Sequence, residues 1–321
     1  MHSTKNAPLI SENSPSELEN KASGLHFRRD HPKSQIQKWF LAARPKTWIA
    51  SISPVCIGAC FSMRSYPLFV ITLLFALCIQ IGTNFANDYF DFIKKADTHE
   101  RIGPKRAVQQ GWISPASMLQ ATKIVFGLGF VFAIPLMISV GLWSLGIVLL
   151  SIICGILYTG GPKPLGYLGL GEIFVFIFFG PIATFGAYYV QEPLLSIPVL
   201  IAGIAPGLFS TALIIANNLR DATTDKVAQK NTLVVRLGTL FGKLEYTFAI
   251  SIPLTIPCLL IAKYDAPINL FSAACLFPIG VQLIKKAWQA KKGEEYIPLL
   301  PGTSFLLTCY TALFMLVFLM S

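Results

Sequence analysis

Charge is what this chain has least of. Asp, Glu, Lys and Arg make up 13% of its 321 residues, where a soluble domain carries roughly a quarter. That shortfall excludes an ordinary water-facing globule. The 54% hydrophobic content and mean hydropathy of +0.60 show what takes its place. Histidine is scarce too: His2, His26, His31 and His99 all lie outside the apolar runs, which argues against a haem or histidine-metal centre in a membrane. The seven cysteines (Cys56, Cys60, Cys78, Cys154, Cys258, Cys275, Cys309) sit inside apolar stretches and form no CxxC pair. Neither a disulfide framework nor a zinc site is indicated, and they read as small buried hydrophobes. The formal charge of +10 raises nucleic acid as a partner. The bases gather in alternate loops, however, without the basic, aromatic-interleaved surface of a nucleic-acid binder, so no nucleic-acid partner is expected.

Apolar runs are there in quantity. A bilayer crossing needs about 20 predominantly apolar residues, and candidate spans recur at 47–63, 67–92, 115–137, 141–158, 167–190, 195–218, 243–262, 266–286 and 297–320. This pattern predicts an all-α, polytopic transmembrane helical bundle of about nine helices over residues 37–321, set in a lipid bilayer. Residues 1–36 are polar and poor in large apolar groups, too poor to bury a core. They also lack the apolar segment and cleavage site of a signal peptide, and are expected to form a disordered cytoplasmic tail.

Two long polar loops follow spans 2 and 6. The first holds Lys94, Lys95, Arg101, Lys105 and Arg106; the second holds Arg220, Lys226, Lys230, Arg236 and Lys243. Lys285, Lys286, Lys291 and Lys292 lie between spans 8 and 9, while the intervening loops hold little beyond Arg64 and Lys263. Such asymmetry predicts that the N-terminus and both long loops face the cytoplasm.

The acids are placed more pointedly. Gln80, Asn84, Asn87, Asp88 and Asp91 fall on one helical face at the end of span 2. Asn217, Asn218, Asp221 and Asp225 repeat the arrangement at the end of span 6. Such a face is costly against lipid and must look into protein or a water-filled cavity. Two acidic faces at equivalent depth concentrate negative charge, and a bound cation compensates it. Carboxylate and amide oxygens without His or Cys favour Mg²⁺ over zinc or copper. The nearby bases would meet the phosphates of a substrate completing the metal's shell. Removing one of these clustered carboxylates is expected to leave fold stability unchanged or raise it, by relieving repulsion.

Asn87-Asp-Tyr-x-Asp91-x5-Asp97 and Asn218-x2-Asp221-x3-Asp225-x4-Lys230 resemble the two aspartate-rich motifs of UbiA-type intramembrane prenyltransferases. Arg44-Pro-Lys-Thr47, the Arg101–Gln109 segment and the Tyr158–Glu172 segment are similar to the 1,4-dihydroxy-2-naphthoate polyprenyltransferase branch. The resemblance spans residues 40–321. It implies transfer of a polyprenyl chain from polyprenyl diphosphate to an aromatic acceptor acid, with Mg²⁺ as cofactor, in a bacterial inner (plasma) membrane. It also implies a cavity opening sideways to lipid and capped by the polar loops.

On this resemblance Asn87, Asp91, Asp221 and Asp225 would hold the metal, with Asn217 and Asp97 beside them. The first motif's last spacing is five residues rather than the superfamily's three, as in the naphthoate branch. Lys105, Arg106, Lys163 and Lys230 would contact diphosphate. Asn84, Asp88, Asn218 and Arg220 are expected at the substrate. Tyr158 either stabilises an allylic cation through its π-face or is an interfacial anchor. Glu172 either positions the acceptor or complements a helix dipole, and Arg44 and Lys46 either act at the site or mark topology. Two alternatives remain at this point: another quinone-pathway prenyltransferase acting on 4-hydroxybenzoate or a related acceptor, and an ion-coupled membrane transporter.

Overall fold

The computed structural model describes residues 34–96 and 102–320, so most of the expected tail lies outside the described residues. Among the described residues every regular element is helical. A short helix α1 (Gln35–Ala42) precedes α2 (Ile49–Phe61), α3 (Tyr66–Ile93), α4 (Pro115–Val140) and α5 (Ser144–Leu157). Then come α6 (Gly171–Gln191), α7 (Ile197–Val227), the short α8 (Leu233–Leu237), α9 (Thr239–Tyr264), α10 (Ile268–Gln289) and α11 (Gly293–Met320). Seven of these are long and apolar enough to cross a membrane, and α2 and α5 are shorter apolar helices. The expected architecture of about nine apolar helices is therefore present.

Local signals explain where helices begin and end. The Ser65 and Ser114 hydroxyls accept backbone N–H bonds at the starts of α3 and α4, each with proline in the first turn, the preferred chemistry for a helix start. Gly141, at φ 100°, ends α4 in a conformation that a side chain would oppose. The expected end of span 6 near residue 218 is corrected: α7 continues to Val227, so Arg220, Asp221 and Asp225 are helical rather than in a loop.

The molecule is organised around α7. Of its most apolar window 72% is buried, against 22–44% for the other long helices. Phe209, Ile215 and Leu219 of α7 pack with Tyr246 and Ile250 of α9 and with Tyr310 and Phe314 of α11. Helices α6 and α7 cross through glycines. A Cβ on Gly207 would come within 2.8 Å of the Phe176 carbonyl oxygen, and one on Gly180 within 2.7 Å of the Gly203 carbonyl oxygen. Small residues let membrane helices approach this closely, and the crossing brings Glu172 to Asn218. By contrast, α5 packs on α3 and α4 but not along α6, although both helices line the same cavity.

Candidate active site

The last turns of α3 bury Gln80, Asn84, Asn87, Asp88 and Asp91, and Gln80 bonds the Ser51 and Thr47 hydroxyls at 3.1 and 3.0 Å. The Asn84 amide donates to the Ala43 carbonyl (3.1 Å) and the Thr47 hydroxyl (3.3 Å), tying the start of α2 to α3 at the cavity wall. The Asp88 carboxylate accepts the backbone N–H groups of Ala107 (2.9 Å) and Val108 (3.3 Å). It thereby fixes the returning segment that carries Arg106. That arginine's Nη2 donates to Asp91 at 2.5 Å, with both side chains almost fully buried. Asn87 accepts from the Thr159 hydroxyl at 2.8 Å.

The end of α7 supplies the second half. Arg220 forks onto both oxygens of its neighbour Asp221, at 2.8 and 2.6 Å, a strong bidentate geometry. Lys230 Nζ lies 3.5 Å from Asp225. Asn218 donates to Glu172 at 2.6 Å, while Asn217 lines the cavity with Asn87. Lys105 and Lys163 are exposed and do not line the cavity, and Asp97 lies outside the described residues.

Tyr167 joins the two halves, and the sequence reading gave it no role. Its hydroxyl donates to Asp91 (3.0 Å), and Lys94 and Lys230 sit over its ring at 5.1 and 5.9 Å. Its carbonyl accepts from the Asn231 N–H (3.1 Å). Lys94 also donates to the Thr159 and Gly161 carbonyls at 2.7 and 2.8 Å. Burial lowers the Lys94 pKa, opposed in part by the charge of Asp91. Tyr158 is pushed the other way: burial first, then the charges of Glu172, Asp91 and Asp225, raise its phenol pKa.

Beneath this cluster runs a cavity of about 430 Å³. Arg44, Asn84, Asn87 and Asn217 line it near the acids; Phe75, Ile79, Phe178 and Ile147 line its apolar length; Thr72, Trp143 and Tyr189 line its far end. The stretch of α3 from Thr72 to Asn87 corresponds to about 22 Å along the helix axis. A charged head and a long apolar tail fit such a shape.

Residues 51–300 match the UbiA prenyltransferase family. The chain belongs to that family. It is 34% identical over 276 residues to the 1,4-dihydroxy-2-naphthoate octaprenyltransferase of Mycobacterium tuberculosis, covering 84% of this chain and 92% of that one. It is 38% identical over 217 residues to the protein of the same name from Escherichia coli, covering 64% and 70%. The fold matches a UbiA homolog from Archaeoglobus fulgidus solved with DMAPP and Mg²⁺, at a TM-score of 0.65 and 14% identity over 88% of this chain and 100% of that one. The chain is thus an integral-membrane prenyltransferase.

The donor set suits Mg²⁺. Asp91, Asp221 and Asp225 are buried carboxylates near the cavity's polar end. Among the described residues no three Asp, Glu, His or Cys side chains gather into a ready-made cage. Mg²⁺ commonly uses one or two carboxylates and takes its remaining ligands from water and substrate phosphates.

Proposed function

We propose that this prenyltransferase moves a polyprenyl group from polyprenyl diphosphate to 1,4-dihydroxy-2-naphthoate with loss of CO₂, giving demethylmenaquinone. The observation that carries the reading is the pair of buried acid–base contacts, Asp91–Arg106 and Asp221–Arg220, with Tyr167 bonded to Asp91 and lying under Lys230, the partner of Asp225, at the polar end of a long apolar cavity. The names of the bacterial relatives support the naphthoate acceptor.

Asn87, Asp91, Asp221 and Asp225, with Asn217 adjoining, would hold Mg²⁺. When bound, Mg²⁺ neutralises charge on the leaving diphosphate. Arg106, Arg220 and Lys230 give the same oxygens charge-assisted donors. The allylic C–O bond breaks with its electron pair leaving on diphosphate. The ring carbon bearing the carboxylate attacks the allylic carbon, and the C–CO₂ bond then breaks, returning its electron pair to the ring. The Tyr158 ring faces the developing cation in this reading, and the apolar wall excludes water that would quench it. Glu172, held by Asn218, positions the acceptor. The acid-bearing end faces the cytoplasm, where both substrates would be supplied.

Purified protein should be incubated with Mg²⁺, a polyprenyl diphosphate and each candidate acid, with products identified by mass. The naphthoate should be prenylated with release of CO₂, and 4-hydroxybenzoate should react poorly. The reverse preference would remove the naphthoate assignment and leave prenyl transfer standing.

A further inference from the structure

Helices α5 and α6 both line the cavity, yet they do not pack along one another. They meet at their two ends. At the acid-bearing end, Tyr158, which follows α5, abuts Gly171 at the start of α6: a Cβ on that glycine would lie 2.9 Å from the tyrosine hydroxyl. At the far end Trp143, just before α5, meets Tyr189 near the end of α6, edge to face, with ring centroids 5.5 Å apart. Between these contacts the cavity lies between the two helices, lined by Ile147 and Ser151 on one and Phe178 and Ile182 on the other.

The far contact is built with care at the backbone level. Trp143 donates its indole N–H to the Val140 carbonyl at 2.7 Å, which pins the ring. The chain turns there through Gly141 at φ 100°, and a Cβ at that position would press within 3.2 Å of the indole. Phe185 also meets Tyr189, the rings tilted by 39° with centroids 5.5 Å apart. The three rings form a ladder from α6 to the α4–α5 turn, and all three line the cavity.

We propose that the Trp143–Tyr189 clasp is a specificity-determining element for the length of the donor's apolar tail. The inference rests on the prenyl-transfer reading above. A short tail ends inside the cavity and never meets the clasp. A tail that outruns the cavity must pass its far end into lipid, and the closed ring pair opposes that passage. Opening the pair therefore favours long donors over short ones.

The test is a competition between geranyl diphosphate and octaprenyl diphosphate, read as the ratio of kcat/KM for the long donor to that for the short one. Trp143→Ala should raise this ratio roughly fivefold, the factor that corresponds to loss of one edge-to-face aromatic pair. Tyr189→Leu keeps apolar volume without the ring and should raise it likewise; it carries the test if Trp143→Ala does not fold in detergent. Trp143→Phe retains a ring at the position and should move the ratio less. An unchanged ratio in the folded variants, with wild-type protein active on both donors, overturns the clasp alone. Absence of transfer from either donor by the wild-type protein overturns the prenyl-transfer reading and the clasp with it.

Discussion

Asp91 and Asp221 each face a buried arginine, and this changes what their removal should do. Clustered carboxylates alone would repel, so neutralising one was expected to leave stability unchanged or raise it. The structure reverses that expectation, because Asp91→Asn strips Arg106 of its buried counter-charge and Asp221→Asn does the same to Arg220. Each change should lower stability by on the order of 2 kcal/mol, the scale of a hydrogen bond to a charged group. Turnover should fall at least about 10²-fold, as when other electrostatic stabilisers of developing charge are removed. Asp265→Asn is the control: the residue is exposed at the opposite end of α9 in a left-handed conformation (φ 51°) that Asn also tolerates. A Mg²⁺ titration of prenyl transfer, with melting curves, reads all three variants, and near-normal turnover in both site variants would sink the two-motif mechanism. Tyr167→Phe keeps the ring beneath Lys94 and Lys230 and deletes the bond to Asp91, so its loss in turnover should be smaller than that of Asp91→Asn. The acid motifs were legible because charge in an apolar helix demands a reason. Tyr167 was not, since a tyrosine in a glycine-rich turn carries no such signal until the chain folds across Asp91.

Hydropathy finds apolar helices well and their polar ends poorly. The expected limit of span 6 fell where Asn217 and Asn218 interrupt the apolar run, yet α7 continues to Val227 because those side chains look into the cavity or toward Glu172 rather than into lipid. The interruption of α6 had a visible cause in Pro181, and the structure shows a π-turn over Phe178–Ile182 there. The crossing that depends on it was invisible, because Gly180 lies on a different helix from Gly203 and Gly207 and meets them only in the packed pair. Gly207→Ala tests that crossing. Its methyl would press on the backbone of Phe176 and Gly180, and backbone yields less readily than a flexible side chain. Stability should fall by about 1–3 kcal/mol, the usual range for overpacking. Turnover should fall as well, because separating α6 from α7 moves Glu172 away from Asn218. An unaltered melting curve with unaltered turnover would show that the two helices have more freedom than this packing allows.

Among the described residues the apolar helices give the molecule two chemically different ends. One end carries the acid motifs together with Lys94, Lys105, Lys163, Lys230, Lys285 and Lys286, whereas the other carries Arg64, held in an ion pair with Glu192, and Lys263. Bases near span ends are retained on the cytoplasmic side of a membrane, so the asymmetry that predicts the orientation also concentrates positive charge where an anionic diphosphate would bind. The prediction is that Lys105 faces the cytoplasm and Asp265 the opposite side. With the seven native cysteines replaced, Lys105→Cys and Asp265→Cys can be probed separately with a membrane-impermeant maleimide. Asp265→Cys should label in intact cells, and Lys105→Cys only after the membrane is opened. Labelling of Lys105→Cys from outside intact cells would invert the molecule, and the diphosphate would then have to reach Arg106 and Lys230 from the other side of the membrane.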